Sequence, residues 1–368
     1  MPARPAPPTM MRPPEPPEPE PSEPAPPDTD LWGRAIPAPS PRSRGTAARA
    51  PQPAAAAAAL EPLGRALPAR LRLGTSSWSF PGWRGLVYDG TPDEPRLARD
   101  GLAAYARHPL FRTVGVDKTY YRPAPREEYA RLAAQVPDGF RFLVKAWRGL
   151  VDAGDPAGRG AWLDAPRAIA DFIQPASEGL GAKAGPLLFQ FPPMGLRTEA
   201  EVARFAARLG AFLRGLPRGP LYAVEVRDRA LVGAALGETL ADAGVAPCLT
   251  VHPTMPSVEE QSRALALDPS RPLVMRWMLR GNHRYGEAKD LYAPFDRLAE
   301  PDDDARDALA RLARAALGAG LDAWIVVNNK AEGSSPLSVE RLARAVTSPE
   351  VAQGDAELRR SDGAAAAS

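Results

Sequence analysis

Five of the 46 basic residues are lysines, and three of those five, Lys118, Lys145 and Lys330, stand at or just beyond the ends of short apolar runs. The chain uses arginine nearly everywhere else for positive charge, so solubility does not account for these lysines. A primary amine drawn partly out of water can hold an anion; with a lowered pKa it can also move a proton or form an imine. Lys145 and Glu225 are expected to form a charge pair, and Asp117 and Glu225 to divide acid and base roles if their surroundings pull their pKa values apart. Lys145, Glu225 and Asp117 are therefore the expected catalytic residues.

Arg227 and Arg276, with Arg148, offer forked donors matched to phosphate or carboxylate. Trp78, Trp83, Tyr120, Tyr121 and Trp147 offer flat faces that stack on a base or sugar, or else fill core beneath loops. The expected substrate-binding set comprises Thr75, Ser76, Trp78, Trp83, Lys118, Thr119, Tyr121, Gln190, Arg227, Arg276, Asn328, Asn329 and Glu332. Past the last apolar run, Ser335 is expected to cap a helix opening on Pro336, leaving N–H groups of the kind that bind phosphate.

The three histidines, His108, His252 and His283, form no His-x-x-His or His-x-Asp pair, which argues against a multi-zinc site. No cofactor is predicted, although a single divalent cation held by carboxylates is compatible with the sequence. Cys248, the only cysteine, lies within an apolar run and is expected to be a buried small hydrophobe. No phosphate-binding Walker loop, dinucleotide fingerprint or nucleophile elbow is present.

The elements that must position these groups follow from periodicity. Short apolar runs at 71–74, 113–116, 140–144, 186–191, 221–226, 246–251, 273–278 and 323–327 read as strands. Amphipathic helices are expected between them, over 127–135, 198–213, 230–243, 305–319 and 337–346. Such alternation requires crossover connections and hence parallel strands. Eight units in about 275 residues fit a single closed TIM-type (β/α)8 barrel better than an open doubly wound sheet. In that barrel the carboxyl ends of the strands carry the chemistry, which is where the residues above fall. Two long connections, 148–185 and 280–301, are expected to form loops or lids over one face.

Prolines divide the chain: 20 of the 44 lie in residues 1–70, far above the share of about 5% usual in globular proteins. Residues 1–70 are read as a disordered Pro/Ala-rich tail, 71–347 as the barrel and 348–368 as a polar, Ala-rich end. The 46 basic and 44 acidic residues nearly balance, so no global basic field recruits nucleic acid. No run approaches membrane-spanning length and the start of the chain lacks an apolar signal core, so a cytoplasmic protein with no membrane partner is expected.

The stretches LRLGTSSWSFPGWRGLVY, DKTYYRPAP, FRFLVKA, GPLLFQFPP, YAVEVR and VNNKAEG, in that order, resemble the YecE-like family, a domain of unknown function numbered seventy-two. The resemblance spans about residues 71–345 and implies one TIM-type barrel with no established activity. It places the family's polar motifs at Thr75, Ser76, Trp78, Trp83, Thr119, Tyr121, Lys145, Gln190, Glu225, Arg227, Asn328, Asn329, Glu332 and Gly333. The chain departs from the family pattern at Gly115 and Asp117, where Glu-x-Asn is usual; at Asp228 and Leu231, where a His and a nearby Trp are usual; and at Met278, where a His is usual. A divergent branch is the implied reading.

Taken together, these residues predict an enzyme of hydrolase or lyase type that binds a phosphorylated or otherwise anionic small molecule or nucleotide. In this reading Lys145 and Arg227 fix the anion and Glu225 or Asp117 moves protons. One alternative is a nucleic-acid-binding, repair-like barrel, less favoured because of the balanced charge. Another is a non-catalytic sensor or adaptor whose tail, through PPEPPEPEP, binds a protein partner as a polyproline II segment. Glycoside hydrolysis is disfavoured, since Gln190 and Arg276 leave Glu225 without an acid partner across the sugar.

Overall fold

The structure, a computed structural model, describes residues 50–155, 160–279 and 285–348. Eight parallel strands close in sequence order: β1 (Leu71–Thr75), β2 (Thr113–Val116), β3 (Arg141–Lys145), β4 (Ala184–Gln190), β5 (Tyr222–Glu225), β6 (Ala246–Val251), β7 (Leu273–Trp277) and β8 (Ala323–Val327). β8 returns to β1 with Leu73 opposite Ile325, so no sheet edge is left open. The barrel is of TIM type, as the alternation of runs and helices predicts.

The helices expected on the outside form as Arg126–Ala133, Glu199–Arg214, Ala234–Ala243, Asp303–Gly318 and Ser335–Thr347. Thr198 starts the second of these with a reciprocal capping box to Glu201. The long 148–185 connection is not mainly loop: it carries the helices Arg148–Val151, Ala165–Ala168 and Gln174–Leu180. The second long connection carries a helix at Tyr285–Tyr292; its residues 280–284, including His283, lie outside the described residues.

The barrel interior is apolar below its mouth. Leu143, Leu188, Ala223, Ala246, Cys248, Val274, Trp324 and Val326 form one buried cluster, with Cys248 packed as the small hydrophobe expected. Burial of this cluster supplies the main driving force for closure. Gly74 is required at the β1–β2 contact, because a Cβ there would stand 1.9 Å from the Thr113 carbonyl oxygen.

The expected tail boundary at residue 70 needs correction. Residues 55–66 form a short 3-10 turn, Ala55–Leu60, and a helix, Glu61–Ala66. They are tied to the amino end of the barrel by Arg112, whose guanidinium donates to the carbonyls of Gly64, Leu67 and Pro68. Ala54 and Leu67 are buried, and the Ala54 N–H donates to the Val87 carbonyl in the segment after β1. Alanine and proline composition alone conceals this, because the stabilisation comes from a distant arginine meeting helix-end carbonyls. Residues 1–49 and 349–368, the rest of the expected tails, lie outside the described residues. Among the described residues, no helix is long and apolar enough to cross a membrane.

Candidate functional site

The carboxyl ends of β3, β5 and β7, with the segment after β2, bring five charged side chains together. Glu225, last residue of β5, is fully buried. Its Oε2 accepts from Arg276 Nη1 at 2.8 Å, and its Oε1 pairs with Arg227 Nη2. Arg276 reaches on to Asp117, with Nη2 at 3.2 Å from Oδ2. One arginine thus ties β7 to β5 and to the segment after β2.

Lys145, at the end of β3, is half-buried beside this network. Its ammonium lies over the Tyr120 ring, 3.6 Å from the centroid, a cation–π arrangement. Among the described residues no carboxylate lies within ion-pair distance of Nζ; the arginines have engaged both acids. The expected direct Lys145–Glu225 pair is replaced by Arg276–Glu225 and Arg227–Glu225, in keeping with the weaker hydration of a delocalised guanidinium, which makes its burial beside a carboxylate less costly than that of an ammonium. Thr119 fixes the local backbone: its hydroxyl donates toward the carbonyls of Lys145 at 2.6 Å and Val116 at 2.8 Å.

Electrostatics follow from this geometry. Burial pulls the Lys145 ammonium down to about 8; Asp117 and Glu225 work against the fall, and Arg276 and Arg227 add to it. Burial alone would raise the Glu225 carboxyl, but Arg227 and Arg276 outweigh it and hold the carboxyl well below the usual range. Burial weakens Arg276 as a cation, and Glu225 and Asp117 more than restore it. Glu225 is therefore a fixed anion that anchors two arginines, ill suited to the proton transfer expected of it. The Nε–H groups of Arg227 and Arg276 find no acceptor among the described residues.

Other expected site residues divide by where they point. Gln190 sits in register beside Glu225 at the end of β4, and its amide makes no hydrogen bond among the described residues. Tyr121 is exposed and edge-on to Tyr120. Lys118 turns outward to Glu128, 2.8 Å away on the helix Arg126–Ala133, and does not join the cluster. Thr75 donates to the Ser77 carbonyl and bonds Tyr105, while Ser76 accepts from Asn328 Nδ2. Trp78 donates its indole N–H to the Leu97 carbonyl.

Trp83 is fully buried and donates to Asn329 Oδ1, which also accepts from the Ser335 N–H and hydroxyl. This corrects two expectations. Ser334, not Ser335, is the helix cap residue, and Asn329 fills the helix start that was expected to be open to phosphate. Glu332 is likewise internal: its Oε1 accepts from the Asp302 N–H and lies 3.5 Å from Arg306. These residues hold the loops of β1, β7 and β8 together and touch no open space.

Lys330 belongs near the mouth although it is absent from the expected set. It is buried, and burial together with Lys289 pulls its pKa down to about 8 while Asp117 opposes. The scarcity of lysine is the signal that marks it. His252, after β6, is held neutral by burial and by Arg227, with its pKa near 4, and accepts at Nδ1 from the Thr254 N–H. It borders a cavity of about 470 Å3 between the starts of the helices Val258–Ala264 and Asp303–Gly318. Asp228, where the family pattern has His, accepts from the Met194 and Gly195 N–H groups and so shapes the loop after β4.

A closed (β/α)8 barrel whose strands end in a buried carboxylate–arginine network with an adjacent lysine defines the class of this protein. The chain belongs to the family described as protein of unknown function DUF72, whose model matches residues 72–361. A DUF72 family protein from Enterococcus faecalis V583 is 17% identical over 76% of this chain and 96% of its own, with a TM-score of 0.53, a likeness of fold. One from Thermotoga maritima MSB8 is 19% identical over 76% of this chain and 99% of its own, with a TM-score of 0.49. Among curated proteins, no sequence matches this chain.

Proposed function

We propose that the mouth of the barrel binds a small anionic molecule, a phosphate or carboxylate ester or acid, and acts on it as a hydrolase- or lyase-type enzyme. The observation that carries this reading is the state of Lys145. Both nearby carboxylates are engaged by Arg227 and Arg276, leaving a half-buried ammonium whose counter-charge is incomplete. Three cations, Lys145, Arg227 and Arg276, face two carboxylates, Glu225 and Asp117, so an added anion completes the balance. The free amide of Gln190 supplies a neutral donor and acceptor at the same rim. The concentration of this charge in a barrel mouth favours a small ligand over a nucleic-acid backbone, which calls for cations spread over a surface.

Thermal melting with inorganic phosphate tests the reading. Phosphate at ten times its dissociation constant stabilises the folded state by about 1.4 kcal/mol. Wild type should show that rise in Tm and Lys145→Met should lose it. Equal shifts in both proteins, or none in wild type across millimolar phosphate, would refute binding at this mouth.

A further inference from the structure

On that anion-binding reading, Lys145 carries a feature that binding alone does not require. A lysine that only holds an anion works well from an exposed, mobile position, or paired and fixed. Lys145 is neither. It is half-buried at the end of β3, its backbone is pinned by the Thr119 hydroxyl at 2.6 Å, and its ammonium rests 3.6 Å from the centre of the Tyr120 ring. No carboxylate among the described residues locks it in the protonated form by a direct ion pair. The groups that face it are Asp117 and Tyr120 from the segment after β2, Glu225 at the end of β5 and Arg227 just beyond it, and Arg276 from β7.

We propose that the Lys145 amine condenses with the carbonyl carbon of a small aldehyde or ketone that carries a carboxylate or phosphate, giving a protonated imine. The neutral amine supplies its lone pair to the carbonyl carbon; the C–N bond forms as the C=O π pair moves to oxygen, which takes up a proton. The nitrogen then gives up one of its two protons to leave the neutral carbinolamine, whose hydroxyl takes up a second proton and departs as water while the nitrogen lone pair closes the C=N bond, so that amine, carbonyl and one proton give the iminium and water. One water is released, and no oxidant or reductant takes part. The iminium keeps the positive charge of the original ammonium, so the Tyr120 face and the carboxylates of Asp117 and Glu225 stabilise it as they do the lysine. Arg227 is placed to hold the anionic end. An iminium withdraws electrons from the neighbouring carbon, which gives the lyase branch of the proposed function its chemistry. The pull of burial on this amine supports the step, because near pH 8 about half of it is neutral and nucleophilic.

Borohydride trapping tests the imine directly. The full-length protein is incubated with pyruvate, or separately with dihydroxyacetone phosphate, reduced, digested and mapped by mass spectrometry. Thermal melts are run alongside with both carbonyl compounds and with lactate and glycerol 3-phosphate, which lack the carbonyl. The expected result is a reduced adduct on Lys145 exceeding that on Lys118, Lys183, Lys289 or Lys330 by about tenfold or more, with the initial labelling rate rising about tenfold from pH 7 to pH 9 as the neutral amine increases. Which of the two carbonyl compounds labels distinguishes a carboxylate-bearing from a phosphate-bearing substrate. Label distributed evenly over the five lysines, or undiminished in total in Lys145→Arg, overturns the imine. A rise in Tm with lactate or glycerol 3-phosphate but no label from either carbonyl compound also overturns it, and leaves the anion-binding reading standing. No rise with any of the four compounds and no label overturns both. Should Lys145→Arg fail to fold, the distribution of label over the wild-type peptides is sufficient to distinguish these outcomes.

Discussion

Arg276 donates from Nη1 to Glu225 Oε2 at 2.8 Å with both residues withdrawn from solvent, so that β7 is bonded to β5 across the end of β6. The same guanidinium extends to Asp117 beyond β2. A buried carboxylate with two arginines is a closed electrostatic unit: its members were desolvated together, and each is tolerable only while the others remain. The mouth of the barrel is therefore held rigid by charge where the layers below it are held by packing.

Glu225→Gln keeps the shape of the side chain and removes its charge, leaving Arg227 and Arg276 without their shared counter-ion. We expect a loss of about 3–5 kcal/mol of stability at pH 7 by urea unfolding. The Glu225 carboxyl titrates lower in the folded than in the unfolded chain, so its contribution is complete above the unfolded value of 4.5 and is lost as pH falls toward about 2. The gap between wild type and variant should narrow over that window; a gap unchanged at pH 3 would contradict the assignment.

Lys145 works in the opposite sense. Its folded pKa of about 8 lies below the unfolded 10.5, so the folded state disfavours the charged form and wild-type stability rises with pH between those two values. Lys145→Met removes the burdened charge and should be more stable than wild type at pH 7 by about 1–2 kcal/mol after allowance for partial exposure. That advantage should fade by pH 10.5, as followed by chemical denaturation across the range, while phosphate binding is lost throughout.

Asn329→Ala should separate scaffold from site. The carboxamide oxygen accepts from the Trp83 indole and from the N–H and hydroxyl of Ser335, so its removal strands buried donors at a cost of about 2–4 kcal/mol. Calorimetric titration with phosphate below the melting transition should give an affinity within about twofold of wild type. A tenfold loss would show that Asn329 reaches the ligand.

Lys118→Ala is the control for lysine position. Its partner is Glu128, and the pair is partly exposed, so the variant should change stability by no more than about 1 kcal/mol and leave phosphate affinity unaltered. Loss of binding comparable with Lys145→Met would place Lys118 in the mouth after all.

The strand order and closure were legible in the sequence because eight short apolar runs separated by amphipathic helices admit few topologies, and parallel pairing with right-handed crossovers removes most of those. β2, β6 and β8 begin and end at the residues the apolar runs mark. The gathering of Lys145, Glu225, Arg227 and Arg276 at one face follows from the same logic, since each stands at the carboxyl end of a strand. The helix Glu61–Ala66 is not legible in this way, because its composition is that of the tail and its anchoring comes from Arg112, across 44 to 48 residues of sequence.

The sequence by itself determined the barrel and the charge that its mouth contains, because hydrophobic periodicity and strand-end position are local properties of the chain. Only the tertiary structure decided which acid meets which base. Asn329, Trp83 and Glu332 look like site residues along the chain and prove to be internal supports, while Arg276 takes the carboxylate that Lys145 was expected to hold. The choice rests on the cost of desolvation, since a weakly hydrated guanidinium is brought beside a fully buried carboxylate at less cost than a compact, strongly hydrated ammonium, which here rests on a tyrosine ring instead.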